Sequence, residues 1–257
     1  MIDLHTIANL FLTCGKEIVL VPLIIIGFLT LDRRIFGHAT FLLLFAMIFN
    51  VLLKSIFQVP LSTHLNKVGY AFPSGHMHSA TVFYGWLLLN IKNSLIRIML
   101  VLLLAGIAFG LIYQQYHDIY DILGAVIFGG ITLLIYFPLS RSKVFANKPF
   151  LLGYIIIALS AGIMWYINRT ETISSHVWMA FMVLCGFTAS WTIFAKSITT
   201  NPPFLSAIIG FACIIGIYYL TIILKDWTNI DYNFQWVVVG ILIPLTARIA
   251  GNYRIKK

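Results

Sequence analysis

Apolar runs, each closed by a short polar cluster, recur from one end of the chain to the other. Nine can be drawn, near residues 12–31, 37–57, 74–91, 95–114, 119–138, 150–167, 176–195, 204–224 and 234–250. Each is about the length a helix needs to cross the hydrocarbon of a bilayer. The predicted fold is therefore all-α: a polytopic membrane bundle of about nine transmembrane helices. The first run is interrupted by Gly15-Lys16-Glu17, so residues 1–16 can instead lie along the interface. The opening Met1-Ile2-Asp3-Leu4-His5 lacks the basic segment of a cleavable signal, and its apolar stretch is expected to stay as a membrane helix. The stretch from Pro138 to Pro149, carrying Arg141, Lys143 and Lys148, is the natural seam. It divides a five-helix unit (residues 1–138) from a four-helix unit (residues 139–257).

Composition agrees with the pattern. The 257 residues are 60% hydrophobic and 10% charged, against about 45–50% and about 25% in soluble domains. A net charge of +9 would suit a nucleic-acid partner if it were clustered, but these basic residues stand singly in short loops, and membrane topology explains them. In the nine-span alternation, twelve of the 17 Lys and Arg fall on one side, and Lys16, Lys54, Lys67, Arg169 and Lys225 fall on the other. The basic side reads as cytoplasmic. That puts the N-terminus outside and the C-terminus inside, and the expected location is the inner (cell) membrane of a bacterium. Cys14, Cys185 and Cys213 are too few for a disulfide framework. The chain has no carboxylate cluster for magnesium and no His/Cys set for zinc, so neither a metal nor another cofactor is expected.

Two polar islands break the apolar pattern, and both fall on the outer side. The first is Ala71-Phe72-Pro73-Ser74-Gly75-His76. Pro suits a helix start, Ser a cap, and Gly a close approach of backbone to a ligand, so the turn offers N–H groups to an anion and an imidazole for proton transfer. His78 should face away from His76. The second island is His117-Asp118-Ile119-Tyr120-Asp121. His117 and Asp121 are four apart and share a helical face, an arrangement in which a carboxylate orients a histidine. Asp118 reads as the cap of the following helix. Lys54, near the outer end of the second run, either snorkels to the interface or aims an ammonium into the bundle.

Lys54, then Pro73-Ser74-Gly75-His76, then His117-x-x-x-Asp121 resembles the type-2 phosphatidic-acid phosphatase superfamily of membrane lipid phosphatases, bacterial acid phosphatases and vanadium haloperoxidases. The resemblance covers residues 37–138. The family signature is Lys-x6-Arg-Pro, Pro-Ser-Gly-His and Ser-Arg-x5-His-x3-Asp. It implies a phosphatase acting on a phosphomonoester or diphosphate of a lipid at the extracytoplasmic face. By the same resemblance His117 is the nucleophile that forms a phosphohistidine, and Asp121 orients it. His76 is the acid and then the base, while Lys54, Ser74 and Gly75 hold phosphoryl oxygens.

Both signature arginines are replaced. Leu61 and Ser62 stand at the Arg-Pro positions, and Gly110 and Leu111 at the Ser-Arg positions. Either other donors in the outer loops, among them Lys67, His64, Gln114 and Gln115, take over the phosphate, or the fold serves lipid binding or transport without turnover. Transfer of the phosphoryl group to a second acceptor would use the same histidines. Phosphatidic acid, phosphatidylglycerol phosphate, undecaprenyl diphosphate and lipid A phosphates all fit as substrates. The bilayer is the other partner expected; no nucleic acid is, and no protein partner can be read. His176 and the segment from Lys225 to Tyr232 fall on the outer side, as a rim of the site or as interfacial anchors.

Overall fold

Five helices of this chain begin where the sequence supplies a side-chain oxygen for the free N–H groups of a first turn. In the computed structural model, which describes residues 3–66, 68–194 and 234–252 and the single positions 208, 212, 215, 216 and 219, Asp3 caps α1 (Leu4–Cys14) by accepting from the Thr6 N–H at 2.8 Å. Asp32 does the same for α3 (Arg33–Phe57) through the Ile35 N–H at 2.8 Å. Asn93 caps α5 (Ser94–Tyr113), Ser74 caps α4 (Gly75–Asn90), and Asp118 caps α6 (Ile119–Arg141). The remaining helices are α2 (Glu17–Ile26, continued by a π turn over Gly27–Leu31), α7 (Lys143–Asn147), α8 (Phe150–Ile167), α9 (Ser175–Phe194) and α10 (Phe234–Asn252). Among the described residues the only β pairing is an isolated bridge between Pro60 and Tyr70.

The chain is an all-α integral membrane protein. Among the described residues five helices, α3, α5, α6, α8 and α9, are long and apolar enough to cross a bilayer. The first expected span is a broken one: α1 and the α2 segment are bent by 49° at Gly15-Lys16, and no side chain caps α2 there. Apart from the single positions 208, 212, 215, 216 and 219, the expected run 204–224 lies outside the described residues. α4 has only 16 residues, yet it is among the most enclosed, with Ala80, Val82, Phe83, Tyr84 and Trp86 buried. It packs between α3, α5 and α6, while α8 and α9 cover another side of α3 and α10 lies along α9.

α1 lies on α5, and the sequence of α5 permits it. A Cβ on Gly110 would stand 2.8 Å from the Ala8 carbonyl oxygen, so only glycine lets the two backbones come this close. Leu111 beside it is buried in the core. At the far end of α1, the Tyr84 hydroxyl donates to the Cys14 carbonyl at 2.8 Å. These contacts hold the α1–α2 break against the bundle of α3, α4 and α5.

Candidate active site

The turn into α4 is held from two sides. Asn50, one turn before Lys54 on α3, donates from Nδ2 to the Pro73 carbonyl at 3.2 Å. The Ser74 N–H donates to the Asp121 carbonyl at 3.1 Å, which ties the start of α4 to the first turn of α6. Ser74 is itself fully buried, and its Oγ faces the Met77 N–H at 3.5 Å. It therefore braces the turn, and its N–H is already engaged. A Cβ on Gly75 would meet Asn50 Oδ1 at 3.2 Å, so a larger residue here would press on Asn50 under the turn.

At α6 a reciprocal cap fixes the second island. Asp118 Oδ1 accepts from the Asp121 N–H at 2.9 Å, and Asp121 Oδ2 accepts from the Asp118 N–H at 3.3 Å. The same Oδ2 lies 2.9 Å from His117 Nδ1. A carboxylate only accepts, so the Nδ1 proton belongs to His117 and the lone pair is left on Nε2. The preceding turn is pinned by the Leu111 carbonyl, which accepts from the Tyr116 N–H at 3.0 Å. Burial pushes the His117 imidazole below its ordinary value, and the hydrogen bond and charge of Asp121 oppose that shift.

Lys54 does not snorkel. Its Nζ donates to the Tyr70 carbonyl at 2.7 Å, and its charge acts on Asp121, His76 and His117. Lys54, Gly75, His76 and His117 line one cavity of about 300 Å³. His76 is exposed to it, while His78 is fully buried against Phe49, away from the cavity. Lys67 lies outside the described residues.

Other donors expected in the outer loops are engaged elsewhere. His64 is held between Ser62 Oγ at 2.6 Å and the Gln115 carbonyl at 2.9 Å, and Gln114 donates to Asn9 Oδ1 at 3.0 Å. Neither they nor the Gln115 side chain line the cavity. Gly15, Glu17, Asn50 and His176 do. Lys16, between the first two of these, acts electrostatically on His76, as Glu17 and Lys54 do on His176. Asn50 was legible as a polar residue sharing a helical face with Lys54. The places of Gly15 and Glu17 on the cavity were not, because they come from a distant part of the chain, while His176 was legible only as a rim of the site or an interfacial anchor.

The two arginine positions of the signature have different fates. Leu61 lines the cavity. Leu111 is 1% exposed, in the core beneath α1.

Compared with known proteins, residues 35–145 match the family model described as the PAP2 superfamily. No curated protein and no solved structure matches the chain.

Proposed function

We propose, from the match of residues 35–145 to the PAP2 superfamily model, that the protein is a membrane lipid phosphatase. Phosphatase-type chemistry on a lipid-like substrate is what the family supports. In our reading, the enzyme removes a phosphoryl group from a lipid phosphomonoester or diphosphate at the extracytoplasmic face.

The observation that carries this reading is the His117–Asp121 pair at 2.9 Å on a cavity that also holds His76 and Lys54. His117 Nε2 attacks phosphorus as the bond to the lipid oxygen breaks, and His76, entering as imidazolium, gives that oxygen its proton. His76, now neutral, takes a proton from water. The resulting hydroxide displaces phosphate from His117, and both histidines return to their starting forms. Asp121 keeps the Nδ1 proton in place and stabilises the positive charge on the ring.

Lys54 and the first-turn N–H groups of α4 receive phosphoryl oxygens, with Ser74 as the brace beneath them. Lys16 and His176 supply donors where the signature arginines are missing, the one as a cation and the other through a ring N–H. Glycine at position 110, the serine position of the signature, lets α1 close on α5, and the break that follows α1 carries Lys16.

A second cavity, of about 650 Å³ and mostly apolar, lies between α2, α3, α9 and α10 and shares Glu17 and Met47 with the first. It supports a lipid rather than a soluble phosphate ester. The headgroup sits at His117 and hydrocarbon fills the adjoining slot.

The test is phosphate release by the purified protein in detergent across phosphatidic acid, phosphatidylglycerol phosphate and undecaprenyl diphosphate, with EDTA present. We expect turnover of at least one that persists in EDTA and disappears in His117→Ala. Full turnover in that variant would remove the nucleophile assignment.

A further inference from the structure

The opposite end of the same three helices holds a cavity that the reaction does not use. It has a volume of about 330 Å³ and is lined by Arg34, Ile35, His38, Trp86, Asn90, Ser140 and Arg141. Its polar lining comes from the first turns of α3, the last residue of α4 and the last turn of α6. Two arginines line it, and among the described residues no carboxylate does.

His38 is 2% exposed. Its Nδ1 is paired with the Tyr136 hydroxyl at 2.6 Å, and its Nε2 is buried without a hydrogen-bond partner. A buried ring nitrogen left unpaired in a native protein calls for a ligand or a water. Asn90 donates one Nδ2 hydrogen to the Trp86 carbonyl and Ser140 its hydroxyl proton to the Phe137 carbonyl. The donors left for a guest are the arginines, His38 and the second N–H of the Asn90 amide. Arg34 is exposed, and Arg141 is exposed with its guanidinium over the Phe137 ring at 4.2 Å. Two forked cations beside a buried imidazole match the oxygens of a phosphoryl group better than a single point charge or an apolar guest.

We propose that this cavity is a second anion site, specific for a phosphoryl group, that clamps the ends of α3, α4 and α6 together. The mouth formed by two exposed arginines at the ends of membrane helices suits the headgroup of an anionic phospholipid. Free phosphate offers the same oxygens. The inference does not depend on the phosphatase reading, because it uses none of that site's residues. It does imply that occupancy steadies the helices that carry Lys54, His76 and Asp121 at their other ends.

The experiment uses the full-length protein in nanodiscs of phosphatidylcholine, with and without phosphatidylglycerol, and compares wild type with the double variant Arg34→Gln/Arg141→Gln. Both side chains are exposed, so the substitutions leave the core intact, and Lys148→Gln controls for loss of surface charge. Native mass spectrometry after detergent extraction reads retained phosphatidylglycerol, and thermal unfolding reads stabilisation. We expect the double variant to retain about tenfold less phosphatidylglycerol, or fewer still, than wild type and Lys148→Gln, as loss of charge-assisted contacts implies. We also expect it to lose the gain in unfolding temperature that phosphatidylglycerol gives. If inorganic phosphate stabilises wild type but not the double variant in pure phosphatidylcholine, while phosphatidylglycerol is retained equally by both, the site stands with free phosphate as its ligand. Equal lipid retention and equal phosphate response in wild type and double variant would overturn the proposal.

Discussion

Replacing Asp121 by Asn tests the proposed chemistry most sharply, because the change is nearly isosteric. Asp121 Oδ2 accepts from His117 Nδ1 at 2.9 Å and from the Asp118 N–H at 3.3 Å. An amide can still accept from Asp118 through its oxygen, but its NH2 then faces His117. To pair with it, Nδ1 must give up its proton, and the proton moves to Nε2, the atom that has to attack phosphorus. Amide substitution of the carboxylate behind a catalytic histidine costs about 10⁴ in kcat in the serine-protease case. Here we expect a loss of about 10³ to 10⁴, equivalent to about 4–5.5 kcal/mol in the barrier.

Stability should respond far less. Losing a charge-assisted hydrogen bond costs about 1.5–3 kcal/mol, while relief from burying a carboxylate that is 4% exposed offsets much of that. The assay is steady-state phosphate release at saturating lipid, with thermal unfolding measured in the same detergent. A variant that keeps more than about a tenth of wild-type kcat, a barrier change of only about 1.4 kcal/mol, would refute tautomer control by Asp121.

The remaining predictions concern pH and the missing arginines. His117 must be neutral to attack, and burial holds it below its ordinary value of 6.5. The acid limb of kcat/KM due to this group should therefore lie below about pH 6.5, with activity falling as pH drops through it. A limb centred above neutrality would contradict the burial argument. Leu61→Arg should place a guanidinium in the cavity and lower KM about tenfold, a contact worth roughly 1.5 kcal/mol; kinetics on the solubilised enzyme read this directly. Leu111→Arg should do the reverse. A guanidinium buried without a partner beneath α1 costs about 3–5 kcal/mol, seen as a large fall in unfolding temperature with no rescue of turnover. Lys16→Ala and His176→Ala should each weaken competitive inhibition by inorganic phosphate about tenfold, with Lys16→Arg restoring it, and unchanged inhibition in both would remove them from the cradle.

Much of the architecture was legible because the bilayer imposes simple rules on sequence. Runs of apolar residues long enough to span, broken by polar clusters, gave all-α spans whose described members recur as helices. Local chemistry fixed the caps: Asp118 was readable as a helix start, and the four-residue spacing of His117 and Asp121 required a shared face. The seven-residue interval from Lys54 to Leu61 was equally local. The reading ran short where residues far apart in sequence meet. Gly15-Lys16-Glu17 looked like a flaw in the first span, and only the packing of α1 on α5 turns that break toward His76. His176 could be read as a rim of the site or an interfacial anchor, and the packing of α9 on α3 puts it on the cavity. His64 and Gln114 were reasonable phosphate donors by their expected side of the membrane, yet His64 is held by Ser62 and the Gln115 carbonyl and Gln114 donates to Asn9 on α1. Periodicity and spacing are properties of one helix at a time, so the sequence by itself determined the helices and the paired motif within them. Which side chains share a cavity depends on how close the backbones can approach, and that was decided by tertiary contacts such as Gly110 against Ala8.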